Sequence, residues 1–367
     1  MVRMADMEQV LYRRIKGKDR KHKMKKILVV LTGGTIGSKV ENSVINVSES
    51  SPYRLISMYE ELYGKQEEFE VIQPLNILSE NMTPEQLLVL LKALNEIEYE
   101  KYSGVIITHG SDTLSYTSAF AGLLLHHVPV PVVLIASNYP LGQEGSNGLN
   151  NFARAVEFVR EKAVTGVFTL YQDNAGINQV YLAARITEAE PFNDQFRDFA
   201  GLSFGRMEKG SFILNTGKGL PSIQEVEKEK QAVLAVPDSF QNKIMVIRPY
   251  PGMDYSVFQF NEKNKPAAVL HYLYHSATAC LSGEENNLLS FVERCKSMGV
   301  DVYTASYKRV EGNKYATGDA LLKAGVIPLL NISLEAAYAK LMLMYNGEAL
   351  DVPGKINQNV YFESVEI

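Results

Sequence analysis

The chain has 367 residues, of which 46% are hydrophobic and 22% charged, so it is long enough for two domains with sizeable cores. Its net charge of −5 gives no reason to expect a nucleic-acid partner, and no apolar run approaches the ~20 residues that cross a membrane. The two cysteines, Cys280 and Cys295, imply no disulfide framework and favour a reducing compartment.

The N-terminal segment is basic. Nine lysine or arginine residues lie between Arg13 and Lys26, against one acid, Asp19. A secretory signal would continue into a longer apolar stretch than Ile27–Leu31. We interpret residues 1–25 as an extension, and favour a solubilising tail over a segment that binds an anionic partner.

Short aliphatic runs alternate with longer amphipathic segments through the first half of the chain. Residues 27–31 are typical of a strand covered on both faces. Leucines at helical spacing predict a helix from Pro84 to Ile97, with Thr83 as its N-cap. Strands are predicted at 104–108, 128–136, 166–171 and 180–184, and helices at 113–125 and 150–162. This alternation indicates a doubly wound, mainly parallel sheet.

The composition changes after Phe212, where a polar, charged stretch resembles a linker. A smaller unit follows, with predicted strands at 243–247, 268–272 and 300–305 and predicted helices at 256–262, 286–296 and 333–344. We therefore predict the α/β class with two domains, the larger one N-terminal. The predicted boundaries are 1–25 for the basic extension, 26–216 for the first domain, 217–242 for the linker, 243–350 for the second domain and 351–367 for a tail.

The glycine-rich turn Thr32–Ser38 could also cradle a phosphate. It lacks the third glycine of the dinucleotide fingerprint and the Gly-Lys-Ser/Thr of a P-loop, and Glu70 is a weak candidate for a ribose-binding acid. The adjacent His126 and His127 diverge, and the other histidines lack companions at ligand spacing. We predict no cofactor and no metal.

Two short strings carry hydroxyl groups to the ends of predicted strands. Thr35 stands between glycines, where its hydroxyl could act as a nucleophile beside backbone N–H groups that form an oxyanion hole. Ser111 and Asp112 could bind the α-groups of a substrate or relay a proton. Each string alone fits a tight turn or a helix N-cap. Together they predict a site, because parallel strands present their carboxyl ends at one edge of the sheet.

These two strings, Thr32 to Gly37 and His109 to Thr113, together resemble the signature of the L-asparaginase/glutaminase family. Further similar strings are Ser79–Pro84, Ser146–Asn150, Tyr250–Met253, Tyr315–Gly318, Ala320–Val326 and Leu334–Ala337 with Lys340–Leu341. The resemblance extends over about residues 26–348 and is closer to the cytoplasmic, type I branch, because paired cysteines and a secretion signal are absent from the sequence. We therefore expect a cytoplasmic protein.

The resemblance implies an amidohydrolase that releases ammonia from L-asparagine or a similar amino-acid amide. Thr35 would be the nucleophile, and Ser111 would take the place of the relay threonine. Asp112 would bind the ammonium group of the substrate, while Ser79 and Glu80 would contact its α-groups. The resemblance also implies a homodimer or homotetramer, with no nucleic acid and no membrane as partner.

Three positions depart from the family pattern. Glu188 stands where the family has its relay lysine, Val44 stands at the lid tyrosine, with Tyr53 as a substitute further along, and Asn147 replaces an aspartate. The carboxylate of Glu188 would repel that of Asp112 if the two lie close together. Loss of a relay group could cost about 10²–10⁴-fold in rate. We keep Glu188 as a candidate catalytic base.

Two main hypotheses follow. The first is an asparaginase-like amidohydrolase, slow or shifted in substrate, which the retained Thr35, Ser111 and Asp112 favour. The second is a catalytically impaired homologue that binds an amino acid as a sensor or partner protein, which the missing lysine favours. An amidase subunit that serves charged tRNA is disfavoured, because the stretch before Ile27 is too short for an extra folded domain.

Overall fold

The computed structural model describes residues 25–34, 36, 38–41, 44–47, 51–65, 67–162, 164–228, 230–307, 315–348 and 351–365. Thr35 and nearly all of the predicted basic extension lie outside these ranges. The strands are β1 Ile27–Leu31, β2 Ser38–Glu41, β3 Val44–Val47, β4 Phe69–Ile72, β5 Gly104–Thr108, β6 Pro131–Ile135, β7 Gly166–Gln172, β8 Asn178–Leu182, β9 Gly205–Glu208, β10 Ser211–Leu214, β11 Ile244–Ile247, β12 Ala268–Tyr272, β13 Asp301–Tyr307 and β14 Ile327–Leu330.

Most helices alternate with the strands along the chain, and the last two follow β14. They are α1 Ser51–Tyr63, α2 Pro84–Asn95, α3 Leu114–Leu125, α4 Gly148–Glu161, α5 Ile223–Glu227, α6 Leu288–Ser297, α7 Ala316–Lys323, α8 Leu334–Asn346 and α9 Val352–Lys355. In the described ranges, no helix is both long and apolar enough to cross a membrane.

The predicted α/β class is confirmed by two large sheets, beside which β2 and β3 form a separate antiparallel pair. The larger sheet has the order β10-β9-β8-β7-β6-β5-β1-β4, and the smaller one has the order β11-β12-β13-β14. From β7 to β4 the neighbouring strands of the larger sheet are parallel, while β8, β9 and β10 add an antiparallel edge. The smaller sheet is parallel throughout. The continuous burial of β1, β5 and β6 explains their unbroken aliphatic sequences.

Most of the predicted elements are present with small shifts at their ends. Thr83 caps α2 as predicted, since its side chain accepts from the backbone N–H of Gln86 and the Gln86 side chain accepts from the backbone N–H of Thr83. The strand predicted at 128–136 is shorter and begins at Pro131. The predicted linker contains the short helix α5, which Ser222 caps.

The helix predicted at 256–262 is wrong, because only a 3₁₀ turn, Tyr255–Val257, forms there. Phe258 and Phe260 both pack on Phe291. The Asn261 side chain accepts from the backbone N–H of Lys263, which favours a turn over a helix.

The C-terminal segment, for which the sequence gives no clear signal, is packed into the core. The hydroxyl of the fully buried Tyr361 lies 2.8 Å from the backbone N of Val167 in β7 and accepts its hydrogen bond. The Lys340 ammonium in α8 lies 2.6 Å from the Glu363 carboxylate, and both side chains are buried. Residues 351–365 therefore connect α8 to the larger sheet.

Candidate functional site

Three loops meet at the carboxyl edge of the larger sheet. β1 and β5 are adjacent and parallel, so the loops that follow them lie side by side. The backbone N of Gly34 donates to the carbonyl of Ile77 at 2.7 Å, which joins the first loop to residues 77–81. A Cβ atom on Gly34 would lie 2.5 Å from the backbone N of Gly110, and one on Gly110 would overlap the Ser79 hydroxyl. Glycine is therefore required at both contacts.

The predicted Ser79 and Asp112 are brought together at this junction. The Ser79 hydroxyl lies 3.3 Å from Oδ2 of Asp112 and donates to it. The Thr113 hydroxyl donates to the carbonyl of Ser79 at 3.0 Å, which fixes the two loops to each other. Asp112 is exposed and Ser111 is half-buried, so a ligand can reach both side chains. Glu80 lies in the same 3₁₀ turn, Ser79–Asn81, and is exposed.

His109 holds the second loop from the inside. Its Nδ1 lies 2.8 Å from the carbonyl oxygen of Gly110, so Nδ1 carries the proton and donates. Its Nε2 then accepts from the Thr117 hydroxyl in α3 at 3.0 Å. Burial lowers the pKa of this histidine, which keeps the ring neutral. His109 belongs to the second recognised string, but its role in positioning the loop could not be predicted from the sequence.

Thr35 directly follows Gly34 in the chain but lies outside the described residues, so its role stays a prediction. Val44 begins β3 and Tyr53 lies in α1. Their side chains are also outside the described part of the chain. The substitution of Tyr53 for a lid tyrosine therefore stays a prediction.

Glu188 lies in a second polar cluster. Its Oε1 accepts from the Tyr116 hydroxyl at 2.7 Å, and its Oε2 lies 3.3 Å from the guanidinium of Arg248. The backbone N of Glu188 donates to the Glu335 carboxylate at 2.7 Å. Burial is the largest cause that raises the pKa of Tyr116, and the hydrogen bond to Glu188 raises it further. Burial also raises the pKa of Glu335.

Glu188, Arg248 and Glu335 line a cavity of about 670 Å³, together with Lys218, Tyr272 and His275. Tyr116 belongs to the first turn of α3, the helix that begins after Ser111 and Asp112. The predicted role of Glu188 as a base for Ser111 stays a prediction. Tyr116 and Arg248 were missed, because neither the spacing nor the strings in the sequence link them to Glu188.

Asn147 has a structural role. Its Oδ1 accepts from the backbone N of Asn138 at 3.0 Å, and its amide nitrogen donates to the carbonyl of Gln172 at 3.3 Å. An aspartate could not make the second contact, because an ionised carboxylate has no donor. In the part of the chain that the structure describes, no three His, Cys, Asp or Glu side chains are grouped to hold a metal ion.

Comparison with known proteins agrees with this geometry. A family model described as asparaginase, N-terminal, matches residues 26–216. One of the subunits of the glutamyl-tRNA(Gln) amidotransferase of Pyrococcus abyssi is 28% identical over 330 residues, which cover 86% of this chain and 71% of that protein. The L-asparaginase of Thermococcus kodakarensis is 29% identical over 323 residues, which cover 86% of this chain and 92% of that protein.

Solved structures share the fold. The thermostable L-asparaginase from Thermococcus kodakarensis has a TM-score of 0.73 at 23% identity, covering 93% of this chain and 100% of that chain. L-asparaginase I from Vibrio cholerae has a TM-score of 0.73 at 24% identity, covering 93% and 99%. The family model covers the larger sheet and the loops at its carboxyl edge, and the shared fold extends across both sheets. The chain therefore belongs to the asparaginase family.

Proposed function

We propose that this protein is an asparaginase-type amidohydrolase that releases ammonia from L-asparagine or a related amino-acid amide. The observation that carries the proposal is the meeting of Ser79 and Asp112 beside Gly34, the residue that precedes Thr35. A hydroxyl and a carboxylate held 3.3 Å apart suit the α-carboxylate and α-ammonium of an amino acid. The adjoining nucleophile would then face the side-chain amide.

In the proposed reaction, the Thr35 hydroxyl attacks the amide carbon of the substrate and passes its proton to a base. Ser111 relays that proton to the amide nitrogen, which leaves as ammonia while an ester forms on Thr35. Water then attacks the ester, its proton returns to the Thr35 oxygen, and the free acid leaves. Backbone N–H groups near Gly34 would stabilise the negative charge that develops on the carbonyl oxygen. Glu80 and Asp112 would bind the α-ammonium group.

We also propose the homo-oligomer, the cytoplasmic location and the division into domains at 26–216 and 243–350 that the sequence predicts. What supports the division is that all strands of the larger sheet lie before residue 217, whereas β11–β14 of the smaller sheet lie after residue 242. One face of the smaller sheet has its own buried apolar cluster around Val269, Val302 and Phe291, while its other face joins the cluster of the larger sheet through Leu270 and Tyr303.

The test is ammonia release from L-asparagine and L-glutamine by the wild type and by Thr35→Ala. Thr216→Ala is the matched control, because Thr216 is exposed and follows β10 at the opposite edge of the larger sheet. We expect the wild type and the control to release ammonia, and Thr35→Ala to lose at least ~10²-fold in kcat. Equal activity in all three proteins would contradict the proposal.

A second candidate, supported by the relatives that are named as subunits of a glutamyl-tRNA(Gln) amidotransferase, is that the chain supplies ammonia within a larger enzyme. In that case, the purified chain would release ammonia slowly alone and faster with a partner protein present. A protein that binds L-aspartate, seen as a rise in melting temperature, but turns over no amide would support the impaired homologue instead.

A further inference from the structure

We propose that Arg248 is a positioning residue that the second sheet supplies to the candidate site: it holds Glu188 against Tyr116 and balances the negative charge of Glu188 and Glu335. This inference rests on the proposed amidohydrolase function. Arg248 directly follows β11 in the smaller sheet, whereas Tyr116 lies in α3, which packs on the larger one. The contact between Arg248 and Glu188 therefore joins the two halves of the chain at the Glu188 cluster.

Both oxygens of the Glu188 carboxylate have a defined partner. Tyr116 donates to Oε1 at 2.7 Å, and the guanidinium of Arg248 lies 3.3 Å from Oε2. The Arg248 guanidinium also lies over the ring of Tyr272, 5.6 Å from its centroid, which limits its freedom from the side of the smaller sheet. A carboxylate held from two sides has one orientation.

The charges of the cluster explain why a cation is needed there. The backbone of Glu188 donates to the buried Glu335 carboxylate at 2.7 Å, so two acidic side chains lie close together. Arg248 faces both of them, and its charge lowers the pKa of Glu335 against the larger effect of burial. The other charged or titratable groups that line the cavity are Lys218, Glu190 and His275.

The stability that this ion pair can contribute is small. The side chains of Arg248 and Glu188 are 56% and 41% exposed, and exposed pairs contribute about 0–1 kcal/mol. We expect the ion pair to matter for position instead. It orients Glu188 against Tyr116, which lies in the first turn of α3, about one helical turn beyond Ser111 and Asp112. Arg248 thus links the smaller sheet to the orientation of Glu188, the proposed base, and of Tyr116.

The test compares Arg248→Gln with the conservative variant Arg248→Lys. Arg197→Gln is the matched control, because Arg197 forms an exposed ion pair with Glu190 in the same loop without contacting Glu188. We expect Arg248→Gln to lower kcat about 10- to 100-fold, less than removing a relay group outright, with little change in KM. The acid limb of its kcat–pH profile should move to higher pH, because the charge of Arg248 lowers the pKa of the buried Glu335, which would hold its proton more strongly without that charge. Arg248→Lys should restore most of the rate, and Arg197→Gln should resemble the wild type.

A second readout does not require turnover. In protein labelled with 3-fluorotyrosine, the ¹⁹F resonance of Tyr116 is the one that Tyr116→Phe removes. It should shift in Arg248→Gln and stay in place in Arg248→Lys and Arg197→Gln. An unchanged resonance, or a kcat–pH profile that superimposes on the wild type, would overturn the positioning role. A shifted resonance in a protein that hydrolyses no amide would retain the role and reject the proposed function.

Discussion

At the scale of single residues, the site depends on how closely backbone segments approach each other. Gly34 has a φ of +69°, a conformation that L side chains rarely adopt, and it lies against the backbone of Gly110. Gly110 in turn leaves no room for a side chain beside Ser79. The two motifs recognised in the sequence are therefore in direct contact, which explains why their glycines accompany the hydroxyl residues.

Replacing Gly34 with alanine should disrupt the site more than it destabilises the fold. The control is Gly252→Ala, because Gly252 also has a positive φ, +82°, but no described atom lies within 4 Å of the position that its Cβ would take. Both variants should lose about 1–2 kcal/mol of unfolding free energy through backbone strain. Only Gly34→Ala should also lose ~10²-fold in kcat, since its loop must move away from Gly110. Urea unfolding and ammonia release measure the two effects, and equal loss of activity in both variants would contradict this explanation.

The pairing of Ser79 with Asp112 could be predicted from the sequence, because both residues lie in recognised strings at ends of parallel elements. The Tyr116 and Arg248 contacts of Glu188 could not be predicted. Arg248 is 60 residues further along the chain, and its approach depends on how the second sheet packs on the first. The sequence shows that Glu188 stands at the position of the family lysine. Only the structure shows that Arg248 faces Glu188.

At the scale of elements, strongly patterned segments were predictable and context-dependent ones were not. The aliphatic β1 and the capped α2 follow local rules. The β9–β10 hairpin was missed, because its strands are short and half-buried at the sheet edge. The sequence predicts a helix at 256–262, where only the turn Tyr255–Val257 forms. The packing of Tyr255 on Phe291 could not be predicted, because the two residues are distant in sequence.

Strand β12 carries a buried histidine that makes stability depend on pH. The ring of His271 lies 2.8 Å from the Tyr255 hydroxyl, and burial lowers its pKa from 6.5 to about 4. Between these values the unfolded chain binds more protons than the native state, so the free energy of unfolding falls as the pH falls through this window. The fall approaches about 3 kcal/mol at ~1.4 kcal/mol for each pH unit. His109 acts in the same direction, whereas Asp198, whose pKa burial raises to about 6, acts in the opposite one.

The variant His271→Asn tests this contribution, because asparagine can still hydrogen-bond to Tyr255 but does not titrate. Denaturant unfolding should be measured from about pH 7 down to about pH 4, on both sides of the ordinary histidine pKa. The pH dependence of the variant should be shallower than that of the wild type on the acid side. Parallel curves would show that His271 binds its proton as easily in the native state as in the unfolded one.

At the scale of the whole molecule, the C-terminal segment connects parts that are distant in sequence. Tyr361 bonds to Val167 of the larger sheet, and the carbonyl of the next residue, Phe362, accepts from the buried Arg185 at 2.6 Å. Lys340 and Glu363 form a buried ion pair beside them. The segment therefore contributes to the core on which β8 and the Glu188 loop are built.

The variant Tyr361→Phe should lower the free energy of unfolding by about 1–3 kcal/mol, because it leaves the buried N–H of Val167 without its partner. Tyr315→Phe is the control, since Tyr315 is 65% exposed and should change stability by less than about 0.5 kcal/mol. Thermal and denaturant unfolding measure both. Equal stability of the two variants would show that the hydroxyl of Tyr361 does not help to hold the segment.

The central proposal is acyl transfer through Thr35, the residue that follows Gly34 in the chain. In the most direct measurement, the purified protein is incubated with L-asparagine and hydroxylamine, and ammonia, aspartate and aspartyl hydroxamate are followed in one sample. An ester on Thr35 partitions between water and hydroxylamine, so hydroxamate should form at the expense of aspartate. Both products should be lost in Thr35→Ala and retained in Thr216→Ala. Undiminished ammonia release by Thr35→Ala, or no release by the wild type from any amino-acid amide, would contradict the claim.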